Sequence, residues 1–181
     1  YIGHYLCCLV IYNMAKQSVS IKHSGNSGDI IYSLPAIKKL HEITKLPIHF
    51  YLHTGTKAHY YEGAQHPLGD VMLNQYMVDM LAPLLESLPY ISKVSLWKGE
   101  KIEIDLDRIR HQQNVMPFGH ISRWYFYCYP ELSCDLSIPS IKPPNKLANN
   151  NIVVNRTSRY RNPAADYCIL NQYAKNYNIL F

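Results

Sequence analysis

The sequence predicts an α/β protein, with one nearly complete Rossmann-like domain followed by the start of a second. Short apolar strands alternate with segments of helical periodicity, which is the pattern of a parallel sheet covered by helices. A stretch rich in Pro and Asn at 137–151 interrupts this alternation, and a new strand then begins. The predicted organisation is a first domain at 14–140, a linker at 141–151 and a truncated second domain at 152–181.

Composition indicates a folded protein, and the net charge favours anionic partners. Of the 181 residues, 48% are hydrophobic and 17% are charged, which is typical of globular proteins. The net charge of +5 favours partners such as nucleotide phosphates or acidic glycans. The sequence has no long basic run, so nucleic acid is not expected as a partner. The nine His lack the spacing of metal ligands, so no metal site is predicted.

The cysteines and the apolar run near the start of the chain bear on cellular location. None of the five Cys forms a CxxC pair, and an odd count without a disulfide framework favours reduced thiols in the cytoplasm. The run 5–12 is far shorter than the roughly 20 residues of a spanning helix, and no basic residues precede it. We expect at most peripheral membrane contact.

The residues at both ends of the chain predict that it is a fragment of a longer protein. Residues 1–13 are interpreted as lying upstream of a natural start at Met14, with a short strand or helix packed on the domain as the alternative. Residues 177–181 have the character of a strand at its beginning. A domain that stopped there would leave this strand without its neighbours.

The first predicted unit is a strand, a loop, a helix and a second strand. Strand 19–23 leads into a small, flexible loop at 24–29, and apolar residues at three-to-four spacing predict a helix over 30–45. Pro35 is expected to kink this helix or shift its start, because proline lacks an N–H donor and clashes with the preceding turn. The second strand follows at 48–52.

The rest of the chain continues the same alternation. A loop is predicted over 54–70, because this segment is polar and rich in Gly and His. The remaining predicted elements are a helix over 71–88 broken by Pro83, strands over 91–97 and 101–106, a helix over 120–129, and, after the linker, a strand over 152–155 and a helix over 164–176.

The loop after the first strand is the first candidate site. Gly25, Asn26, Ser27 and Gly28 form a glycine-flanked cleft loop, which lets a ligand approach the backbone amides of a helix N-terminus. The loop contains neither the dinucleotide fingerprint G-x-G-x-x-G nor the phosphate-binding motif G-x-x-x-x-G-K-[ST]. The alternative is a tight turn in which Asp29 caps the helix.

The residues that follow resemble a known family. The segment 27–37, SGDIIYSLPAI, is similar to the opening of glycosyltransferase family 9, the lipopolysaccharide heptosyltransferase group. Those proteins open with a strand, Gly-Asp, two or three apolar residues, a small polar residue, Leu/Thr-Pro-Ala and a helix. Pro35 stands at the matching place, whereas Ser27 replaces the usual Leu.

The resemblance implies a two-lobed GT-B fold and an inverting, metal-independent reaction without a cofactor. A heptose-like or hexose sugar would move from a nucleotide-diphosphate donor to a hydroxyl of a glycan or lipopolysaccharide-like acceptor. Asp29 stands where the family places its general base, which removes the proton of that hydroxyl. At the carboxyl end of a strand, Asp29 would lie in the crevice where α/β sheets bind ligands.

A second candidate site follows the linker. Arg156, Thr157, Ser158 and Arg161 come directly after strand 152–155, and guanidinium and hydroxyl groups are suited to binding phosphate. In the family resembled, a similar hydroxyl-and-basic loop holds the donor diphosphate, so these residues are predicted to bind it. A solvated basic loop is the alternative.

Other functions and weaker sites remain open. A non-catalytic nucleotide- or glycan-binding module, or an enzyme remnant, would use the same cleft, and a dinucleotide enzyme is disfavoured by the missing fingerprint. An aromatic platform for a sugar ring at 123–127 is a weaker hypothesis than core packing. His111 and His120 are interpreted as surface or capping residues, and Asp105 and Asp107 as the polar face or end of a strand.

Overall fold

A computed structural model describes most of the predicted first domain and part of the predicted second. It describes residues 17–58, 70–111, 116–142, 151–153 and 178–180, together with Cys168 and Gln172. The chain divides into two units, Tyr1–Lys142 and Pro143–Phe181. This division falls within the segment 141–151 that is interpreted above as a linker.

Unit 1 contains a four-stranded, all-parallel sheet with helices, which is the Rossmann-like α/β arrangement that the sequence predicts. The strands are β1 (Val19–His23), β2 (Ile48–Leu52), β3 (Ile91–Leu96) and β4 (Ile104–Asp105), in the order β3-β2-β1-β4. All pairings between them are parallel. The strand order reverses at β1, because β2 and β3 extend the sheet to one side and β4 to the other.

The described α-helices of unit 1 are α1 (Ser27–Thr44), α2 (Gln75–Glu86), α3 (Arg108–His111) and α4 (Ser122–Cys128), and a short 3₁₀ helix covers Pro130–Leu132. Helix α1 begins three residues before the predicted start, because Asn26 and Asp29 form a capping box that closes its first turn. Pro35 lies inside α1, so it does not set the start of the helix. In the described ranges, none of the helices is long and apolar enough to cross a membrane.

Helix α2 is shorter than the predicted helix over 71–88. It begins after Asn74, whose side chain accepts a hydrogen bond from Met77 N–H at 3.0 Å. Val71 instead forms an antiparallel bridge before the helix. Pro83 lies inside the helix rather than breaking it. The capping residue therefore sets the helix start, which apolar periodicity alone placed too early.

Strand β4 is also shorter than the strand predicted over 101–106. Only Ile104 and Asp105 pair with β1. The backbone N–H of Asp107 donates to the side chain of Asp105 at 3.1 Å, which is a local turn that ends the strand. Helix α3, which the sequence pattern did not predict, begins at the next residue.

One face of the sheet packs against the helices. In β1 and β2 every second residue is buried, and all of these except His23 share one hydrophobic cluster with apolar side chains of α1, α2 and α4. Each fully buried Leu, Ile or Phe stabilises the fold by about 1.5–3 kcal/mol. The opposite face carries half-buried polar residues of β1 and β2, such as Lys22 and Tyr51, and the ring of Trp97 lies over Lys22 with its centroid 4.9 Å from Nζ.

In unit 2, β5 (Asn151–Val153) pairs in parallel with β6 (Asn178–Leu180). A parallel pair requires a crossover connection, which fits the predicted restart of the α/β pattern. The predicted helix over 164–176 lies outside the described residues, apart from Cys168 and Gln172. The segment 1–13 lies outside them as well.

Candidate active site at the carboxyl end of the sheet

The candidate site lies where β1 and β4 end side by side. Rossmann-like sheets bind ligands outside the carboxyl ends of their strands, at the point where the strand order reverses. In this sheet that point lies between β1 and β4. The loop 24–26, the first turn of α1 and the short helix α3 meet there, and hydrogen bonds join them.

Asp29, the predicted general base, lies in the first turn of α1 rather than in a loop. Its Oδ2 accepts a hydrogen bond from the backbone N–H of Asn26 at 3.0 Å, and the Asn26 side chain accepts from the backbone N–H of Asp29. The predicted capping role is therefore present in the structure, with Asn26 as the N-cap residue. Asp29 is 9% exposed, so a small part of it remains accessible to a ligand.

Arg110 of α3 forms an ion pair with Asp29. Its Nη2 donates to the same carboxylate oxygen, Oδ2, that Asn26 N–H contacts. The positive charge offsets the cost of removing the carboxylate from water. Arg110 was not among the predicted site residues, because it lies 81 positions from Asp29 in the sequence and only the sheet brings the two together.

The two glycines of the cleft loop serve different purposes. A Cβ on Gly25 would lie 2.6 Å from Cε1 of His23 and 3.0 Å from Oδ2 of Asp29, so a larger residue does not fit. A Cβ on Gly28 would meet nothing within 4 Å. Gly25 is therefore required by the packing of the loop, whereas Gly28 and the half-buried Ser27 leave the surface of the first helical turn open.

A buried polar network lies beneath the loop. His23 and Tyr125 are both fully buried, with His23 Nε2 lying 2.7 Å from the Tyr125 hydroxyl oxygen. That hydroxyl donates to the backbone carbonyl of Asp29 at 2.8 Å, so the Nε2–H of His23 donates to the hydroxyl. Burial, with the nearby charge of Asp29, raises the pKa of Tyr125 well above its ordinary value. Tyr125 therefore remains a hydrogen-bond donor and holds the backbone of the predicted base.

Asp107 closes this network from the side of β4. Its Oδ1 accepts from Ser24 N–H at 2.7 Å and lies 3.1 Å from Nδ1 of His23. The same Nδ1 accepts a hydrogen bond from the backbone N–H of Gly25 at 2.9 Å. Burial would raise the pKa of Asp107, but the adjacent His23 ring and the hydrogen bond from Ser24 N–H outweigh burial and hold the pKa well below its usual range.

Lys22 connects two aspartates, Asp105 at the end of β4 and Asp107 just after it. Its Nζ lies 2.9 Å from Oδ2 of Asp105 and 3.4 Å from Oδ2 of Asp107. Burial disfavours the ammonium, but the hydrogen bond and charge of Asp105 outweigh it and raise the pKa of Lys22. The interpretation of Asp107 as a merely polar strand end is therefore incomplete, because this residue is buried and bonded to three neighbours.

Among the missed residues, only His23 carries a signal in the local sequence. It is the third inward position of β1, after Val19 and Ile21, and a polar side chain at a buried strand position is uncommon. Tyr125 and Arg110 contact the site only through tertiary structure. No pattern near them in the sequence points to Asp29.

The weaker predicted sites have other roles. In the segment 123–127, Tyr125 is buried and Trp124 and Phe126 pack against the core, so this segment belongs mainly to the core and forms no open platform. His120 accepts from Ser122 N–H through Nδ1 at 3.2 Å, which is a local capping contact. His111 is an exposed residue at the end of α3.

The predicted donor-phosphate residues, Arg156, Thr157, Ser158 and Arg161, lie outside the described residues. Their role remains a prediction from the sequence. Within the ranges that the structure describes, no group of three or more His, Cys, Asp or Glu is arranged to hold a metal ion.

Comparison of the chain with protein-family models, curated proteins and solved structures finds no significant match. The likeness of segment 27–37 to glycosyltransferase family 9 therefore stays a prediction from the sequence.

Proposed function

We propose that the protein is a glycosyltransferase of the GT-B type. It moves a heptose-like or hexose sugar from a nucleotide-diphosphate donor to a hydroxyl of a glycan acceptor, in the cytoplasm. The observation that carries the proposal is the placement of the Asp29 carboxylate at the strand-order reversal of the sheet, where such folds bind ligands. The likeness of segment 27–37 to family 9 gives that carboxylate its proposed role.

Asp29 acts as the general base of this proposed reaction. The acceptor hydroxyl gives its proton to the carboxylate while its oxygen forms a bond to the anomeric carbon of the donor sugar. The bond from that carbon to the diphosphate breaks, its electron pair leaves with the nucleoside diphosphate, and the configuration inverts. The hydrogen bond from Asn26 and the ion pair with Arg110 hold the carboxylate in a fixed orientation for this step.

The donor side of the proposed site belongs to the second lobe. Arg156 and Arg161 would donate to the diphosphate, with Thr157 and Ser158 adding hydroxyl donors. Charge that develops on the leaving group would be stabilised by the two guanidinium groups. Unit 1 would then carry the acceptor.

A non-catalytic nucleotide- or glycan-binding module is the second candidate, and the contacts of Asp29 favour it. Asp29 completes a capping box and an ion pair, so the residue has a structural reason to be present without any chemistry. The two candidates differ in whether loss of this carboxylate affects turnover or only stability.

The test uses the full-length protein and a defined set of substrates. UDP-, GDP- and ADP-linked hexoses and heptoses are incubated with a deacylated lipopolysaccharide core oligosaccharide, and release of nucleoside diphosphate is measured. We expect release that depends on the oligosaccharide. D29N keeps a capping oxygen but lacks the base, so turnover is expected to fall by about 10²–10⁴-fold.

D79N is the matched control for this experiment. Asp79 is an exposed acid on α2 whose carboxylate accepts from the side chain of Gln75 at 2.7 Å. Its substitution removes the same charge away from the site and should leave turnover unchanged. The absence of release with every donor, or D29N turnover equal to that of D79N, contradicts the proposal and favours the binding module.

A further inference from the structure

The two oxygens of the Asp29 carboxylate have different surroundings. Among the described residues, both hydrogen bonds to the carboxylate, from Asn26 N–H and from Arg110, reach Oδ2. None of the described groups donates to Oδ1. The carboxylate is therefore anchored through one oxygen, and the other has lone pairs that can accept a hydrogen bond from a ligand.

Arg110 has unused hydrogen-bonding capacity at the same place. A guanidinium carries several N–H donors in a rigid, planar fork. In the described part of the chain this guanidinium makes one hydrogen bond, to Asp29, and the side chain is 35% exposed. Donors of Arg110 and an acceptor of Asp29 therefore lie next to each other at the carboxyl end of the sheet.

The charges of this pair select the kind of ligand. An anion that approached Arg110 would meet the carboxylate of Asp29, and a cation that approached Asp29 would meet the guanidinium. A neutral group that both donates and accepts hydrogen bonds suits both partners. Two neighbouring hydroxyls on a sugar ring have this property, and their oxygens lie about as far apart as two hydrogen-bonded atoms.

We infer that Asp29 and Arg110 form a diol site, which binds two neighbouring hydroxyls of the acceptor sugar. One hydroxyl donates to Oδ1 of Asp29, and the oxygen of its neighbour accepts from an N–H of Arg110. The inference rests on the proposed function, because the first of these hydroxyls is the one that Asp29 deprotonates. It also defines the acceptor as a sugar with a vicinal diol at the point of transfer.

The neighbouring helix surface supports a sugar ligand. Tyr32 lies one turn after Asp29 on α1, so the two residues are neighbours on the helix surface. Tyr32 is 38% exposed, and its ring meets the ring of His120 edge-on at 5.2 Å. The hydroxyl of Ser122 donates to the Tyr32 carbonyl at 2.7 Å and fixes α4 against α1. A partly exposed aromatic side chain one helical turn from a polar pair suits the apolar face of a sugar ring.

The test observes Arg110 directly and needs no turnover. The Nε–H signals of the 181-residue chain, labelled with ¹⁵N-arginine, are recorded by NMR, and the Arg110 signal is identified by its loss in R110K. The probes are the methyl α-pyranosides of D-mannose, D-glucose and D-galactose, which together present cis and trans diols. We expect at least one of them to shift the Arg110 signal with a Kd of about 10 mM.

Two controls define the chemistry of the site. The fully O-methylated glucoside has no hydroxyl to donate and should leave the Arg110 signal unchanged. Arg108, on the same short helix, stacks on Tyr129 with its guanidinium carbon 5.4 Å from the ring centroid, and its signal serves as the internal reference. In D29N the charge-assisted acceptor is lost, so the affinity should fall about tenfold.

The inference is overturned if none of the three glycosides shifts the Arg110 signal, or if the O-methylated glucoside shifts it equally. This failure is distinct from failure of the proposed function. Loss of turnover in D29N without any glycoside-induced shift would leave Asp29 as the base and remove the diol site. A saturable shift together with undiminished D29N turnover would support a sugar-binding site and contradict the transferase.

Discussion

The four strands end at the same edge of the sheet, but the two halves of that edge differ in chemistry. Where β1 and β4 end, His23 and Asp107 are buried 3.1 Å apart, and both accept hydrogen bonds from the loop that precedes Asp29. Where β2 and β3 end, the half-buried rings of His53 and Trp97 meet edge-on at 4.9 Å. No ion pair joins the described residues at that second position.

The difference follows from topology. Neighbouring strands that are linked in order have their connections on the same side, whereas the reversal between β1 and β4 opens a crevice between the connections. Buried polar groups cost free energy unless they are fully bonded, and an ionisable network is therefore informative about function. The sheet concentrates this cost at the reversal, which is where the proposed base lies.

The largest expected effect separates the two strand ends directly. H23A removes a fully buried ring that contacts Tyr125, Gly25 and Asp107, and should lower the free energy of unfolding by about 3 kcal/mol. H53A removes the half-buried ring after β2 and should lower the free energy of unfolding by less than about 1 kcal/mol. Urea unfolding followed by circular dichroism measures both. Equal losses would contradict the contrast between the two ends.

D107N should have the next largest effect and lower the free energy of unfolding by about 2 kcal/mol at neutral pH. The folded-state pKa of Asp107 lies below its ordinary value of 3.8, so its stabilising contribution is present above that value and is lost as the pH falls through the folded-state pKa. Wild-type stability should therefore decline below about pH 4, and less steeply in D107N. Unfolding measured from pH 7 to pH 2 tests this, with the half-exposed Asp105 replaced in D105N as the control. If the free energy of unfolding falls equally with pH in wild type and D107N, Asp107 does not cause the loss of stability in acid.

The cleft-loop glycine gives a smaller, steric contrast. G25A places a Cβ 2.6 Å from the His23 ring, so the buried polar network around His23 must shift. The free energy of unfolding should fall by about 2 kcal/mol. Gly55 lies in the loop after β2 with a φ of +83°, and a Cβ added there meets nothing within 4 Å. G55A should therefore lower the free energy of unfolding by about 1 kcal/mol, through backbone strain alone. Thermal unfolding ranks the two variants. A loss in G55A that exceeds the loss in G25A would mean that the loop after β1 is not tightly packed.

The smallest expected effect concerns Arg110. Its ion pair is partly exposed, so R110M should lower the free energy of unfolding by about 1 kcal/mol or less. R123M removes a charge from the exposed surface of α4 and should change stability by under about 0.5 kcal/mol. The same urea titration serves for both. A loss of several kcal/mol in R110M would make Arg110 a structural residue before any other role.

The sequence predicted the strands β1 and β2 with the correct bounds, because a short apolar segment lies between clear loop or breaker residues at both strands. It misplaced the start of α1, since the capping box of Asn26 and Asp29 looks like a loop when only apolar periodicity is followed. It made β4 too long, because the alternation of apolar and acidic residues continues past the end of the strand. The turn that ends the strand, formed by the Asp105 side chain, has no such signal in the pattern.

The candidate site was predicted in part. Asp29 and the cleft loop were singled out because they are contiguous in the sequence and carry a family-like motif, and their role as a site stays a prediction. Arg110 and Tyr125 lie 81 and 96 positions from Asp29, and their arrangement depends on the strand order β2-β1-β4, which local patterns do not determine. The second site stays a prediction, because its residues lie outside the described ranges.

The measurement that tests the central claim most directly compares turnover and donor binding in the same D29N protein. The donor identified for the wild type is titrated by calorimetry, and release of nucleoside diphosphate is measured at saturation. If Asp29 is the base, the donor Kd stays within about twofold while turnover falls by about 10²-fold or more. Turnover that remains at the wild-type level with the same Kd would contradict the account and leave Asp29 as a helix cap.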